Sequence, residues 1–178
     1  MQTRDALIAE LDLESPFTRR TLQHVPLEKR TWKPHERSMT LGDLATFLCV
    51  MWSWGVLVID QESFDPSTRP GAGTRPDVPA TTGELLKLYD DNVTAFRSAL
   101  GRATDDHLAL KWRLLARGEE FFNQPRWIVI RTFILNHAVH HRAQLGVYLR
   151  MNGIPVPAIY NDSADEKGGL FRDNASMT

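Results

Sequence analysis

Two imidazoles four residues apart, His137 and His141, interrupt an otherwise apolar helical stripe that reads Ile130, Ile134, His137, His141, Leu145, Tyr148. Steps of three and four keep one helical face together. The two rings therefore stack one turn apart, at about 6 Å between β-carbons, and both can reach one cation. Helical zinc sites of the His-x-x-x-His kind use this spacing. Spacing leaves a second reading open, in which two core histidines are held by hydrogen bonds to backbone carbonyls or a carboxylate. A catalytic metal also needs a third protein ligand beside its open position. His140 is turned by about 100° from His141 and should face the rim. Arg142 and Gln144 complete the word HHRAQ. Either they orient a substrate or the rings, or Arg142 is a buried cation paired with an acidic residue such as Glu84.

Other chemistries find no support. No Ser-His-Asp order, glycine-rich phosphate loop or paired-cysteine motif stands out. The single cysteine, Cys49, lies in an apolar run and reads as an inert packed thiol. Trp52, Trp54, Trp127 and Tyr148 could line an apolar pocket, although aromatic residues at helical spacing more often build a core. Lysine and arginine number 21 against 22 for aspartate and glutamate, so no overall field draws in nucleic acid or acidic lipid. The one basic cluster, Lys29, Arg30, Lys33, His35 and Arg37 around Trp32, is diluted by Glu28 and Glu36 and reads as a solvated connection. The N-terminal residues offer no apolar signal core, which together with the lone cysteine points to the cytoplasm. The most apolar run, residues 44–59, falls short of the about 20 residues that span a bilayer. A buried helix fits it better.

The elements that position the histidines are helical. The 178 residues suit one domain, 1–178. A first helix is expected from about 4 to 24, with Ala6, Leu7, Leu11, Leu13, Leu22 and Val25 inward and Pro16 kinking or splitting it. A second starts at Thr40, with Asp43 in capping-box spacing, and runs to about 59. The Pro/Gly/Ser/Thr-dense segment that follows reads as a loop long enough to cover the mouth of a site. A third helix starts at Thr81 with Glu84 in the box position and ends near Gly101. Residues 104–124 are either an irregular excursion or a short hairpin. The fourth helix opens at Pro125 and stops at Gly153 and Pro155, about 27 residues or roughly 40 Å. With no convincing strand pattern, the fold class is all-α, a four-helix bundle. Helix two is apolar on nearly every face, which predicts cover from both the bundle and a second subunit, a homodimer.

The words around the pair add a further layer. NHAVHHRAQLGVYLRMNGIPVPAIY resembles the last bundle helix of the DinB/YfiT-like family, and LEKRTWKPHERSMTLGDLATFL is similar to that family's loop and start of helix two. The resemblance implies a bundle, commonly dimeric, that holds a divalent metal such as zinc or nickel through three histidines, two from the last helix and one from the second. It also implies, for characterised relatives, activation of a low-molecular-weight thiol in S-transferase or isomerase reactions. By position the last-helix ligands become His137 and His141, while the second-helix ligand falls on Phe47. Phenylalanine has no lone pair, so water, His140 or Asp43, one turn before Phe47, would have to complete the sphere. Two functions follow: a metal-dependent enzyme of the thiol S-transferase or hydrolase type with a degenerate site, or a metal-free small-molecule binder or dimeric interaction module on the same scaffold.

Overall fold

Helix α1, Thr3–Gln23, carries Leu7, Leu11 and Leu22 into the core. A computed structural model describes residues 2–68 and 76–168. The buried line of α1 runs on through Glu14, Thr18 and Thr21, so Leu13 falls off it and is exposed, contrary to its expected inward place. Nor does Pro16 break the helix, which is continuous through it. Proline removes one intrahelical hydrogen bond, but a long face packed on neighbouring helices supplies most of a helix's stability and holds the rod together.

The second rod is α2, Leu41–Val50, followed by α3, Trp52–Asp60, with a break at Met51 where the sequence suggests one helix. Thr40 caps it, its hydroxyl accepting from the Asp43 N–H at 3.1 Å. Within the 20 residues Leu41–Asp60 an 18-residue window reaches a mean hydropathy of 1.7, enough by length and composition to cross a membrane, which corrects the shorter count made from sequence. Yet 61% of that window is buried inside the fold, as a core helix requires. Cys49 is buried here, and desolvation pushes its thiol pKa up.

Helix α4, Thr82–Arg102, starts with the full capping box: Thr81 Oγ1 accepts from the Glu84 N–H, and the Glu84 carboxylate accepts from the Thr81 N–H. It crosses α3 closely at Gly55, where a β-carbon would stand 2.4 Å from the Phe96 ring. The short helix α5, Asp105–Ala109, leads into a hairpin. Strands β2, Lys111–Ala116, and β3, Glu119–Pro125, pair antiparallel, and the two-residue strand β1, Ser63–Phe64, adds to β2 in parallel. The open segment 104–124 is thus mostly hairpin. Its turn residues Arg117 and Gly118 both have positive φ, 54° and 82°, as the tight two-residue turns of right-twisted hairpins demand.

The last rod begins with α6, Arg126–Val129, preceded by Pro125 as the cap rather than the first helical residue. It widens into a π-helical segment, Ile130–Asn136, and continues as α7, His137–Met151. Gly153, at φ 72°, ends it: its N–H reaches the Arg150 carbonyl and the Ile154 N–H reaches that of Leu149, both at 3.0 Å. The result is the expected helical bundle, with a small sheet packed at one end.

Candidate functional site

The π-helical segment decides where the histidines face. A wide turn accommodates an extra residue, and the buried line that begins Ile130, Ile134 continues through Leu135, Ala138, Arg142, Leu145 and Leu149. His137 and His141 consequently stand at the edge of the buried face, half-buried, rather than at its centre. They converge: their Nε2 atoms are 2.8 Å apart and their ring centroids 4.5 Å. His141 Nδ1 lies 2.7 Å from the Gln144 amide oxygen, and His137 Nδ1 lies 3.3 Å from the Phe133 carbonyl oxygen.

These contacts constrain the protons. An amide oxygen can only accept, so His141 carries its proton on Nδ1 and presents a bare Nε2 to its neighbour. The neutral couple is satisfied when His137 donates from Nε2 to His141 Nε2 and gives up its longer contact to Phe133. Desolvation is the leading reason that both imidazoles titrate below the usual histidine range; the Gln144 contact opposes it at His141, and the mutual charge of the neighbouring histidines adds to it. Desolvation and the mutual charge both favour the uncharged form of the couple.

Phe47, on α2, seals the couple on one side. Its ring meets His141 edge-on at 4.9 Å between centroids, His137 at 5.5 Å and Trp54 at 6.0 Å. Among the described residues no group of three or more His, Cys, Asp or Glu side chains could hold a metal ion. His140 is exposed at the rim, its ring centroid 4.9 Å from that of His141 and 6.4 Å from that of His137. Asp43 lines the cleft with His141, its backbone N–H engaged by Thr40. Tetrahedral ligands about 2.0–2.1 Å from a zinc ion stand roughly 3.3 Å from one another, whereas these nitrogens are at hydrogen-bonding distance. The residues present fit a hydrogen-bonded imidazole couple better than a three-ligand metal centre.

The cleft beside the couple has a volume of about 600 Å³, within the ordinary range for small-molecule sites. Its walls are Met39, Phe47, Val50, Trp54 and Leu88, with Asp43, Thr46, Ser53, Asn92 and His141 as polar points. Of the aromatic residues singled out from sequence, Trp54 does line the cleft, Trp52 is wholly core, Tyr148 is half-buried and packs edge-on against Trp32, and Trp127 is exposed.

Arg142 is buried, as one sequence reading held, but its partner is Glu14 and not Glu84. Its guanidinium lies 2.7 Å from the Glu14 carboxylate and donates to the Tyr160 hydroxyl at 2.6 Å, while Tyr160 donates to the same carboxylate at 2.9 Å. Glu84 is occupied at the start of α4. Sequence reasoning missed this network because Glu14 is 128 residues away on another helix, where no local pattern pairs it with Arg142.

Comparison with known proteins agrees with this architecture. The fold is shared by a DinB-like protein of Bacillus cereus, at TM-score 0.66 and 23% identity over 88% of this chain and 97% of that one. It is shared also by the DinB-like protein YjoA of Bacillus subtilis, at TM-score 0.64 and 16% identity over 85% and 96%. The uncharacterised protein YrdA of Bacillus subtilis is 26% identical over 93% of this chain and 92% of its own length. The DinB family model matches residues 84–168, the half that bears the hairpin, the π-helical segment and the histidine couple. By this partial match and the shared fold, the chain is similar to the DinB family.

Proposed function

We propose that this protein is a small-molecule-binding member of the DinB family, in which a neutral imidazole couple, not a three-histidine metal centre, serves the cleft. The observation that carries this reading is the Phe47 ring packed edge-on against both imidazoles, where a third ligand would otherwise stand. A neutral imidazole can accept a proton near neutrality, and here the couple is held in place at its outer end by the exposed Gln144 amide oxygen, which accepts from His141 Nδ1. The ligand suited to such a cleft is largely apolar, with one hydrogen-bonding group placed toward Thr46, Ser53 or Asn92. Titration calorimetry with zinc and nickel tests the reading. Affinities no tighter than about 10 μM support it, and stoichiometric binding below about 0.1 μM overturns it.

A second reading, a metal-dependent thiol S-transferase or hydrolase, is favoured by one feature. Both Nδ1 atoms face carbonyl-type oxygens, the arrangement by which proteins orient imidazoles toward a cation. His137 and His141 would then hold zinc or nickel, and the ion would supply a lowered pKa to a bound low-molecular-weight thiol. Phe47→His restores the missing donor and discriminates. If two histidines already suffice, the substitution leaves zinc affinity within about threefold of the native protein; if the site is degenerate, affinity rises at least about tenfold.

A further inference from the structure

A second pocket shares Trp54 as a wall with the imidazole cleft. It has a volume of about 180 Å³, opens to solvent on one side, and is bounded by α3, β1, the hairpin and the π-helical segment. Trp54, Val58, Trp112, Leu114, Phe122 and Phe133 form most of its walls. No carboxylate, amide, hydroxyl or basic side chain lines it among the described residues.

The walls of this pocket cannot collapse into it, because the aromatic rings brace one another: Phe122 stacks on Phe133 at 4.8 Å and 23°, and Trp112 meets Phe122 at 6.0 Å. A pocket with ring walls and no polar side chain holds its water weakly, and its size is close to that of the apolar cavities of about 150 Å³ that accept benzene. The lining elements come from three distant parts of the chain, so the space belongs to the fold and not to one flexible side chain.

We propose that this slot is a binding site for a compact aromatic hydrocarbon group, a single ring with at most a short alkyl substituent. The walls offer flat faces for ring stacking and edge contacts, and nothing that would hold a charged or strongly hydrogen-bonding group. The site is separate from the imidazole cleft and stands whether or not that cleft binds a metal.

Toluene is the probe. Titration calorimetry on the native protein should show saturable binding of one equivalent. Leu57 lines the slot and is only half-buried, so Leu57→Trp fills the space at modest risk to folding. It should weaken toluene binding at least about tenfold, while Leu88→Trp, which fills the cleft and not the slot, leaves it within about twofold. Crystals of the native protein under xenon pressure supply a measurement independent of any variant, with a xenon peak expected between Trp112 and Phe133. No saturable toluene binding up to its solubility overturns the proposal, as does a xenon derivative without a peak in the slot. So does toluene binding that survives Leu57→Trp and disappears in Leu88→Trp, which would place the hydrocarbon in the cleft.

Discussion

Truncating Phe47 to alanine probes the link between packing and protonation at the candidate site. A fully buried phenylalanine costs about 3–5 kcal/mol on truncation. Phe47 is half-buried, with three ring contacts at 4.9–6.0 Å, to His141, His137 and Trp54. Roughly half of the full cost, about 2 kcal/mol, is expected, which for a chain of this length lowers Tm by about 4–8 °C. The same substitution admits water to the couple. Since desolvation is the leading cause of the lowered pKa values at His137 and His141, both should rise toward 6.5. The sign carries into stability. A depressed folded-state pKa means that the unfolded chain takes up protons first, so the couple's contribution is complete above the unfolded value of 6.5 and is lost as pH falls through the folded values. In Phe47→Ala that acid-side loss is smaller. Differential scanning calorimetry between pH 5 and 8, with NMR titration of the histidine ring protons, measures both quantities. Histidine pKa values that stay put or fall in the variant would falsify the desolvation account, whatever happens to Tm.

Gln144→Ala should act in the opposite direction, because the Gln144 contact raises the His141 pKa; the same NMR titration should show that pKa lower than in the native protein. Gly55→Ala forces a β-carbon to 2.4 Å from the buried Phe96 ring, so thermal denaturation should show a net loss of about 1–2 kcal/mol despite alanine's better helix propensity. Glu14→Ala leaves the guanidinium of Arg142, 2% exposed, without its carboxylate. A destabilisation of about 3–5 kcal/mol is expected in urea unfolding, and a loss under about 1 kcal/mol would refute the buried-pair assignment. We further propose a homodimer formed through the apolar surface around Phe121, Trp127 and Phe133, all exposed in the single chain. Static light scattering at micromolar concentration should give twice the chain mass, and a monomer mass removes the proposal.

Local chemistry was legible in the sequence wherever a few neighbouring residues settle the outcome. The caps at Thr40 and Thr81, the Gly153 stop and the helical stripes each depend on hydrogen bonds or side-chain spacing within one or two turns, and each stands where its residues place it. The convergence of His137 and His141 is of the same kind, since two rings one turn apart on a single helix need no distant residue to meet. Tertiary contacts decided the rest. Packing carried α1 through Pro16 against its local signal. The hairpin formed from a segment of mixed pattern, turned by Arg117 and Gly118 and extended by a strand that begins 48 residues before Lys111, at Ser63. The π-helical segment moved the histidines from the centre of the buried face to its edge, Glu14 reached Arg142 across 128 residues, and Phe47 was set against both imidazoles by the docking of one helix on another. Those outcomes depend on which surfaces exclude water together in three dimensions, a property that residue spacing along one chain does not encode.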